Sequence, residues 1–239
     1  MSANPFPEHL RGEYDARLVD VLERQKKARQ LQNALEQAHL WAPPRSILDV
    51  GCGTGLILAN LSDTKTRVGC DVRGELFVRT DGIAFVQARA NQPPFQHARF
   101  DLVLCMAMIE ELADWRSALA AMAECVAQGG VLYVTFTNGR LLTRVYSLLE
   151  RFGIYTSAAA WHYARKSLDF PLAGAPRGFD LHPLQDWQFV NVTPHLARAV
   201  MPSLRRLPVG IVAKAPSLLA PSFGYAWRKP ILGTQVGRK

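Results

Sequence analysis

Ser46-Ile-Leu-Asp-Val-Gly-Cys-Gly-Thr-Gly-Leu56 is the stretch that decides how the rest of this chain is read. Ile47, Leu48 and Val50 predict a short buried strand, and the glycines at 51, 53 and 55 predict a turn running into a helix over Leu56–Leu61. Without side chains at those positions the backbone can come close to a ligand, and the free N–H groups of a starting helix point at it. The spacing narrows the ligand. A dinucleotide turn needs GxGxxG, but position 56 is Leu, so the glycines spell GxGxG, preceded by Asp49. An acid in front of the turn would repel a pyrophosphate and suits a cationic group.

The strand–turn–helix unit sets a rhythm that continues downstream. Residues 66–72 (TRVGCDV) predict a second strand ending at Asp71, 82–88 (GIAFVQA) a third, and 100–108 (FDLVLCMAM) a fourth. A helix is expected over 115–127, broken by Gln128-Gly-Gly130, and 131–137 (VLYVTFT) reads as a fifth strand. Strands alternating with helices at this spacing indicate a parallel sheet covered on both faces. Upstream, Leu18, Val21, Leu22, Ala28, Leu31, Leu35 and Ala38 recur at helical spacing until Trp41 and Pro43–Pro44 stop the helix. Residues 1–12 read as an arm of little pattern.

Past Asn138 the pattern changes. Residues 140–153 predict an amphipathic helix closed by Gly153, and 154–185 mix aromatics, histidines, prolines and glycines in the manner of an inserted cap or lid. Thr193-Pro194 could start a short helix over 192–204. Two strand-like pieces, 208–215 and 223–229, are expected to close the sheet as an antiparallel pair.

Charge is unevenly placed. The 239 residues carry a net charge of +8, and the last acid is Asp186, so residues 187–239 hold eight Lys and Arg with no acid. That asymmetry points to an anionic partner, a membrane surface or nucleic acid, or else to a solvated face. No run of about 18 uncharged apolar residues occurs, and the N-terminus lacks the apolar stretch of a signal peptide. The four cysteines, at 52, 70, 105 and 125, have neither CxxC nor zinc-ligand spacing, so no metal is expected. A reduced, cytoplasmic protein is the simplest expectation.

With these residues in order, the chain resembles the class I S-adenosylmethionine-dependent methyltransferases over roughly 46–138. ILDVGCGTG resembles their first motif, Cys70-Asp71-Val72 the acidic end of the second strand, ANQPPF with FDLVLCMAMIEEL the loop and fourth strand, and Gln128-Gly-Gly-Val-Leu the turn into the fifth. The resemblance implies a Rossmann-like three-layer αβα sandwich with a mostly parallel seven-stranded sheet. Residues 1–45 would be an N-terminal helical arm and 46–239 the methyltransferase domain, with 140–187 as a substrate-lid insertion after strand five.

It also implies roles. Asp49 would anchor the cationic end of S-adenosylmethionine, Gly51, Cys52, Gly53 and Gly55 would cradle its amino-acid portion, and Asp71 would accept bonds from the ribose hydroxyls. Val72 and Ala90 would meet the adenine, and Cys105 and Met106 would lie near the sulfonium. Two departures are visible: Arg89-Ala90 stands where relatives commonly carry an acid and a small residue, and Glu111 stands where many carry His. The candidate catalytic groups are therefore Glu111, His162 and His182, with Glu110 and His195 behind them. The leading reading is methylation of a small-molecule acceptor, lipid-like or anionic, with residues 187–239 as the membrane or anion contact. RNA methylation through that basic region and a non-catalytic scaffold are the alternatives, and the oligomeric state is open.

Overall fold

The computed structural model describes residues 18–61, 64–95, 97–137, 139–153, 161, 165, 180–183 and 222–231. Helix α1 (Leu18–Gln37) leads into strand β1 (Ser46–Val50), the glycine turn and a single helical turn α2 (Leu56–Ala59). Strands β2 (Thr66–Asp71), β3 (Ile83–Gln87) and β4 (Phe100–Met106) follow, then helix α3 (Trp115–Cys125), strand β5 (Val126–Thr137) and helix α4 (Gly139–Arg151). Strands β6 (Asp180–Pro183) and β7 (Ser222–Arg228) complete a sheet in the order β3-β2-β1-β4-β5-β7-β6. β1 to β5 pair in parallel, and β7 runs antiparallel between β5 and β6.

Side-chain alternation along each strand divides the core between the two faces. Leu48, Val50, Val103, Cys105, Leu132 and Val134 point to the face covered by Ala118, Leu119 and Met122 of α3. Ile47, Leu102, Leu104, Val131 and Tyr133 point to the other, under Ala28, Leu31 and Leu35 of α1 and Ile57 and Leu58 of α2. With helices on both faces, β1 and β4 are apolar almost throughout, as an internal parallel strand must be. The α/β Rossmann-like fold expected from the sequence is the one observed.

The chain walks outward from β1 through β2 to β3, then returns to place β4 on the opposite side of β1. In an open parallel sheet the crevice for a ligand opens where that order reverses, beyond the carboxyl ends of the strands. Here those ends are Val50 and Met106. The starts of the same strands are tied by Asp101, whose Oδ2 accepts from the Arg45 and Ser46 N–H groups and from Ser46 Oγ.

Several sequence expectations change. The helix after the glycines is one turn rather than Leu56–Leu61. β5 begins at Val126, since Val126 already pairs with Phe100 and the ladder resumes after a register shift that Gly129 (φ 73°) accommodates. On its outer side β7 pairs antiparallel with 180–183, a segment that the sequence assigns to the cap; residues 208–215 lie outside the described residues. Two of the basic residues in the acid-free C-terminal region also act inside the fold. Arg228 donates to His39 O, and Lys229 Nζ donates to Ala123 O and Val126 O at the C-terminal end of α3.

Candidate functional site

The glycine turn sits at the carboxyl end of β1. Its backbone is fixed from the second strand: the Gly51 and Cys52 N–H groups donate to Cys70 O, and the Gly53 N–H donates to Asp71 Oδ2 at 2.9 Å. Gly51 has φ 78°, and a Cβ there would stand 2.5 Å from Met108 Cγ. A Cβ on Gly55 (φ 74°) would meet the Phe77 ring at the same distance, whereas Gly53 (φ 51°) has nothing within 4 Å of where its Cβ would be. The turn is thus walled by Met108 on one side and Phe77 on the other, and it is open at Gly53. Phe77 is held by stacking on Phe85 at 4.6 Å between ring centroids, and the neighbouring Val78 N–H donates to Thr54 O.

Two carboxylates flank the opening. Asp71 is buried; its Oδ1 accepts from the Arg73 N–H at 3.0 Å, and the Arg73 guanidinium stands 3.8 Å away. A carboxylate has about four lone-pair positions, so Asp71 retains capacity for further donors after shaping the turn. Asp49 is different. It is buried on the α1 face, and its Oδ2 has no hydrogen-bond partner. Burial pushes its carboxyl up to about 7, with Arg24 of α1 pulling the other way and Asp71 adding to the rise. A buried, unpartnered carboxylate oxygen is costly unless it holds a proton or a donor arrives.

Arg24 reaches this place through helical periodicity. It lies one turn before Ala28, Leu31 and Leu35, the buried stripe of α1, and so continues that stripe past the edge of the apolar core. The end of β4 supplies the opposite wall. Ala107 has φ 52°, a conformation disfavoured for a residue with a Cβ, and its N–H is held by both Thr135 Oγ1 (2.9 Å) and Thr135 O (3.2 Å). That turn leads to Met108 and then to a 3-10 turn, Ile109–Glu111, in which Glu110 is buried and Glu111 half-buried.

Of the residues singled out from sequence, Asp49, Gly51, Gly53, Gly55 and Asp71 lie in or beside this turn, whereas Met106 closes β4 and packs toward the α1-side core, and Glu111 ends the 3-10 turn that follows β4. Val72 follows Asp71 and is 43 % exposed, so it is a surface rather than a core valine. Ala90 is buried against the α3-side core. Cys52 and Cys105 turn their thiols into the interior: Cys52 Sγ fills the space beside Gly69, and Cys105 lies within the α3-side core. Burial raises the thiols of Cys52 and Cys105 and pushes that of Cys70 up to about 12, so all three stay protonated near neutral pH.

His182 is not brought to the opening. Its backbone pairs with Ala226 in the edge strand β6, three strand spacings, about 14 Å, from β4. His162 and His195 lie outside the described residues. Arg24, Phe77, Met108 and Thr135 were missed from sequence. Only Arg24 had a signal, the charge on an otherwise apolar helical stripe; the others depend on which strand ends become neighbours.

Residues 48–134 match the model of a family described as a methyltransferase domain. A ubiquinone biosynthesis O-methyltransferase from Aromatoleum aromaticum is 30% identical over 115 residues, covering 44% of this chain and 49% of that protein. One of the same name from Cronobacter sakazakii is 29% identical over 148 residues, covering 56% and 52% respectively. The chain thus spans about half the length of the curated relatives it matches. Among solved structures, the plantazolicin methyltransferase BpumL, in complex with a monoazolic desmethylPZN analog and SAH, superposes with a TM-score of 0.59 at 14% identity, covering 93% of this chain and 89% of that one. A Thermotoga maritima protein described as a SAM-dependent methyltransferase, possible histamine N-methyltransferase, gives 0.52 at 16%, covering 91% and 99%. At these identities the structures bear on the fold alone.

Proposed function

We propose that this chain, whose residues 48–134 form a methyltransferase domain of the class I, Rossmann-like kind, moves a methyl group from S-adenosylmethionine to a hydroxyl oxygen of a small-molecule acceptor. The observation that carries the reading is Asp49 Oδ2, a buried carboxylate oxygen without a partner beside a turn that is open at Gly53. A donor with a cationic amino-acid end fits that site; a dinucleotide pyrophosphate does not. The name O-methyltransferase carried by the curated relatives supports oxygen as the acceptor atom.

When bound, the donor supplies an activated methyl group on a positively charged sulfur. The chain's own residues do the rest, which for this chemistry is orientation and exclusion of water. Asp49 would hold the ammonium and Arg24 the carboxylate of the donor's amino-acid end. Gly51, Gly53 and Gly55 allow close backbone approach, and Asp71 would take the ribose hydroxyls with its remaining lone pairs. The exposed face of Val72, with Ala90, would border the adenine. Met106 and Met108, at the end of β4, would line the side facing the acceptor. A hydroxyl acceptor with a high pKa needs a proton acceptor, and we assign that role to Glu111. The acceptor itself is assigned to the side formed by the segment that follows β5, a lid within 140–187.

Isothermal titration of the purified chain with S-adenosylmethionine and with its demethylated product tests the reading. Binding of both is expected. Asp71→Ala should remove the Gly53 N–H acceptor and the ribose contact together, weakening binding at least tenfold while the protein still unfolds cooperatively. Folded wild-type protein that binds neither compound would overturn the proposal.

A further inference from the structure

We infer that α4 is a docking face for an anionic lipid surface. Its side chains divide unevenly. Leu142 and Tyr146 are buried, with Val145, Leu149 and Trp161 packed against them. The apolar arc does not stop at that cluster. At about 100° per residue, it continues round the helix to Leu148 and to Phe152 in the closing turn, which are 54% and 75% exposed. Next to this uncovered part run Arg140, Arg144 and Arg151, all exposed. The helix is therefore apolar over more of its circumference than its core contact uses, and the surplus borders a row of guanidinium groups.

The single acid of α4, Glu150, is turned to the other flank, where its Oε1 accepts from the Trp161 indole N–H at 2.6 Å. Arg165 lies over the face of the same indole, 4.9 Å from the ring centroid. Positive charge thus dominates the exposed side. An exposed Phe and Leu flanked by arginines suits the boundary between headgroups and acyl chains, where the apolar side chains enter and the cations meet lipid phosphates. No described helix is long and apolar enough to cross a membrane, so the contact is one of lying on the surface. Gly139 opens α4 directly after β5, on the edge of the sheet where the donor site opens, which would place that site beside the lipid headgroups. Docking as such does not depend on the methyltransferase reading.

Co-sedimentation of the full chain with phosphatidylcholine vesicles, with and without phosphatidylglycerol, tests it. Preferential sedimentation with the anionic vesicles is expected, weakening as salt is raised. Arg140→Gln/Arg144→Gln/Arg151→Gln should lower the partition roughly a hundredfold, from the usual contribution of three basic side chains at an anionic surface. Leu148→Ser/Phe152→Ser should lower it on neutral and anionic vesicles alike. Both variants should keep their thermal midpoint and donor affinity, so failure of this proposal is separable from failure of the donor site. Vesicle binding that survives both variants would overturn it by locating the contact elsewhere, as would wild-type protein that ignores the vesicles. Self-association abolished by the same substitutions, without vesicle binding, would show the occupant to be a second copy.

Discussion

Asp49 has its carboxyl pushed up to about 7 by burial, and its charge state therefore changes near neutral pH. An Asp raised on folding binds its proton more tightly when folded than when unfolded. Its contribution to stability is full below its ordinary range near 4 and falls as pH rises to about 7, by roughly 4 kcal/mol. Asp49→Asn should cancel that slope, so urea unfolding at pH 8 without donor is expected to show the variant more stable than wild type. Donor binding has the opposite sign. Only the ionised carboxylate attracts an ammonium, so titrations between pH 6 and 8 should show affinity rising through about 7 in wild type and flat, weaker binding in Asp49→Asn. Wild-type affinity independent of pH would show that Asp49 does not meet the donor's charge. The neighbouring Asp71 is already committed to the turn through Gly53 and Arg73. The two acids thus divide the work between charge and shape.

At the scale of elements, the junction of β4 and β5 is tightly constrained. Ala107 keeps a left-handed backbone (φ 52°) although it carries a Cβ, and Thr135 of β5 holds its N–H. The consequence is positional, because this turn aims Met108 at Gly51. Ala107→Gly removes the steric penalty and should stabilise the fold by about 1 kcal/mol, read as a higher urea midpoint. Glycine also frees the turn, so donor affinity is expected to fall even as stability rises. Thr135→Val should lower both, and Thr135→Ser should restore them. Gains in stability and affinity together for Ala107→Gly would mean that the strained turn has no part in the site. The glycine turn is built on the same logic, since its walls come from elements remote in sequence: Phe77 follows β2 and Met108 follows β4.

At the scale of the whole molecule, β7 joins parts that would otherwise separate. It covers the β5 edge, carries β6 on its far side, and contributes Ala226 and Trp227 to the cores on opposite faces of the sheet. Just beyond it, Lys229 neutralises the carbonyl end of α3. A chain ended after residue 221 would leave β5 as an open hydrophobic edge, and it should aggregate. Lys229→Met is the milder test and should lower stability by about 1 kcal/mol, with the thermal midpoint falling a few degrees. A truncated chain that stays monomeric by size-exclusion chromatography would show that β7 is dispensable to the sheet.

What the sequence by itself determined is local and periodic. Short apolar, β-forming runs between turn signals showed β1 to β4 and much of β5, and the glycine spacing departs from that of a dinucleotide turn, with an acid at 49 before it and another at 71 at the end of the next strand. Those features are legible because each depends on neighbours a few residues away. Tertiary structure alone decided the rest. A short strand carries no label for its partner, so the sequence offers 208–215 to pair with 223–229 and leaves 180–183, which takes the edge beside β7, inside the cap. Likewise, nothing near Cys52 and Cys105 tells that their sulfurs face the interior, and nothing near His182 tells that its backbone lies about three strand spacings, roughly 14 Å, from β4. Met108 meets Gly51 only because β4 inserts beside β1. The turn at Gly53 is likewise held by Asp71, eighteen residues on, only because β2 pairs with β1.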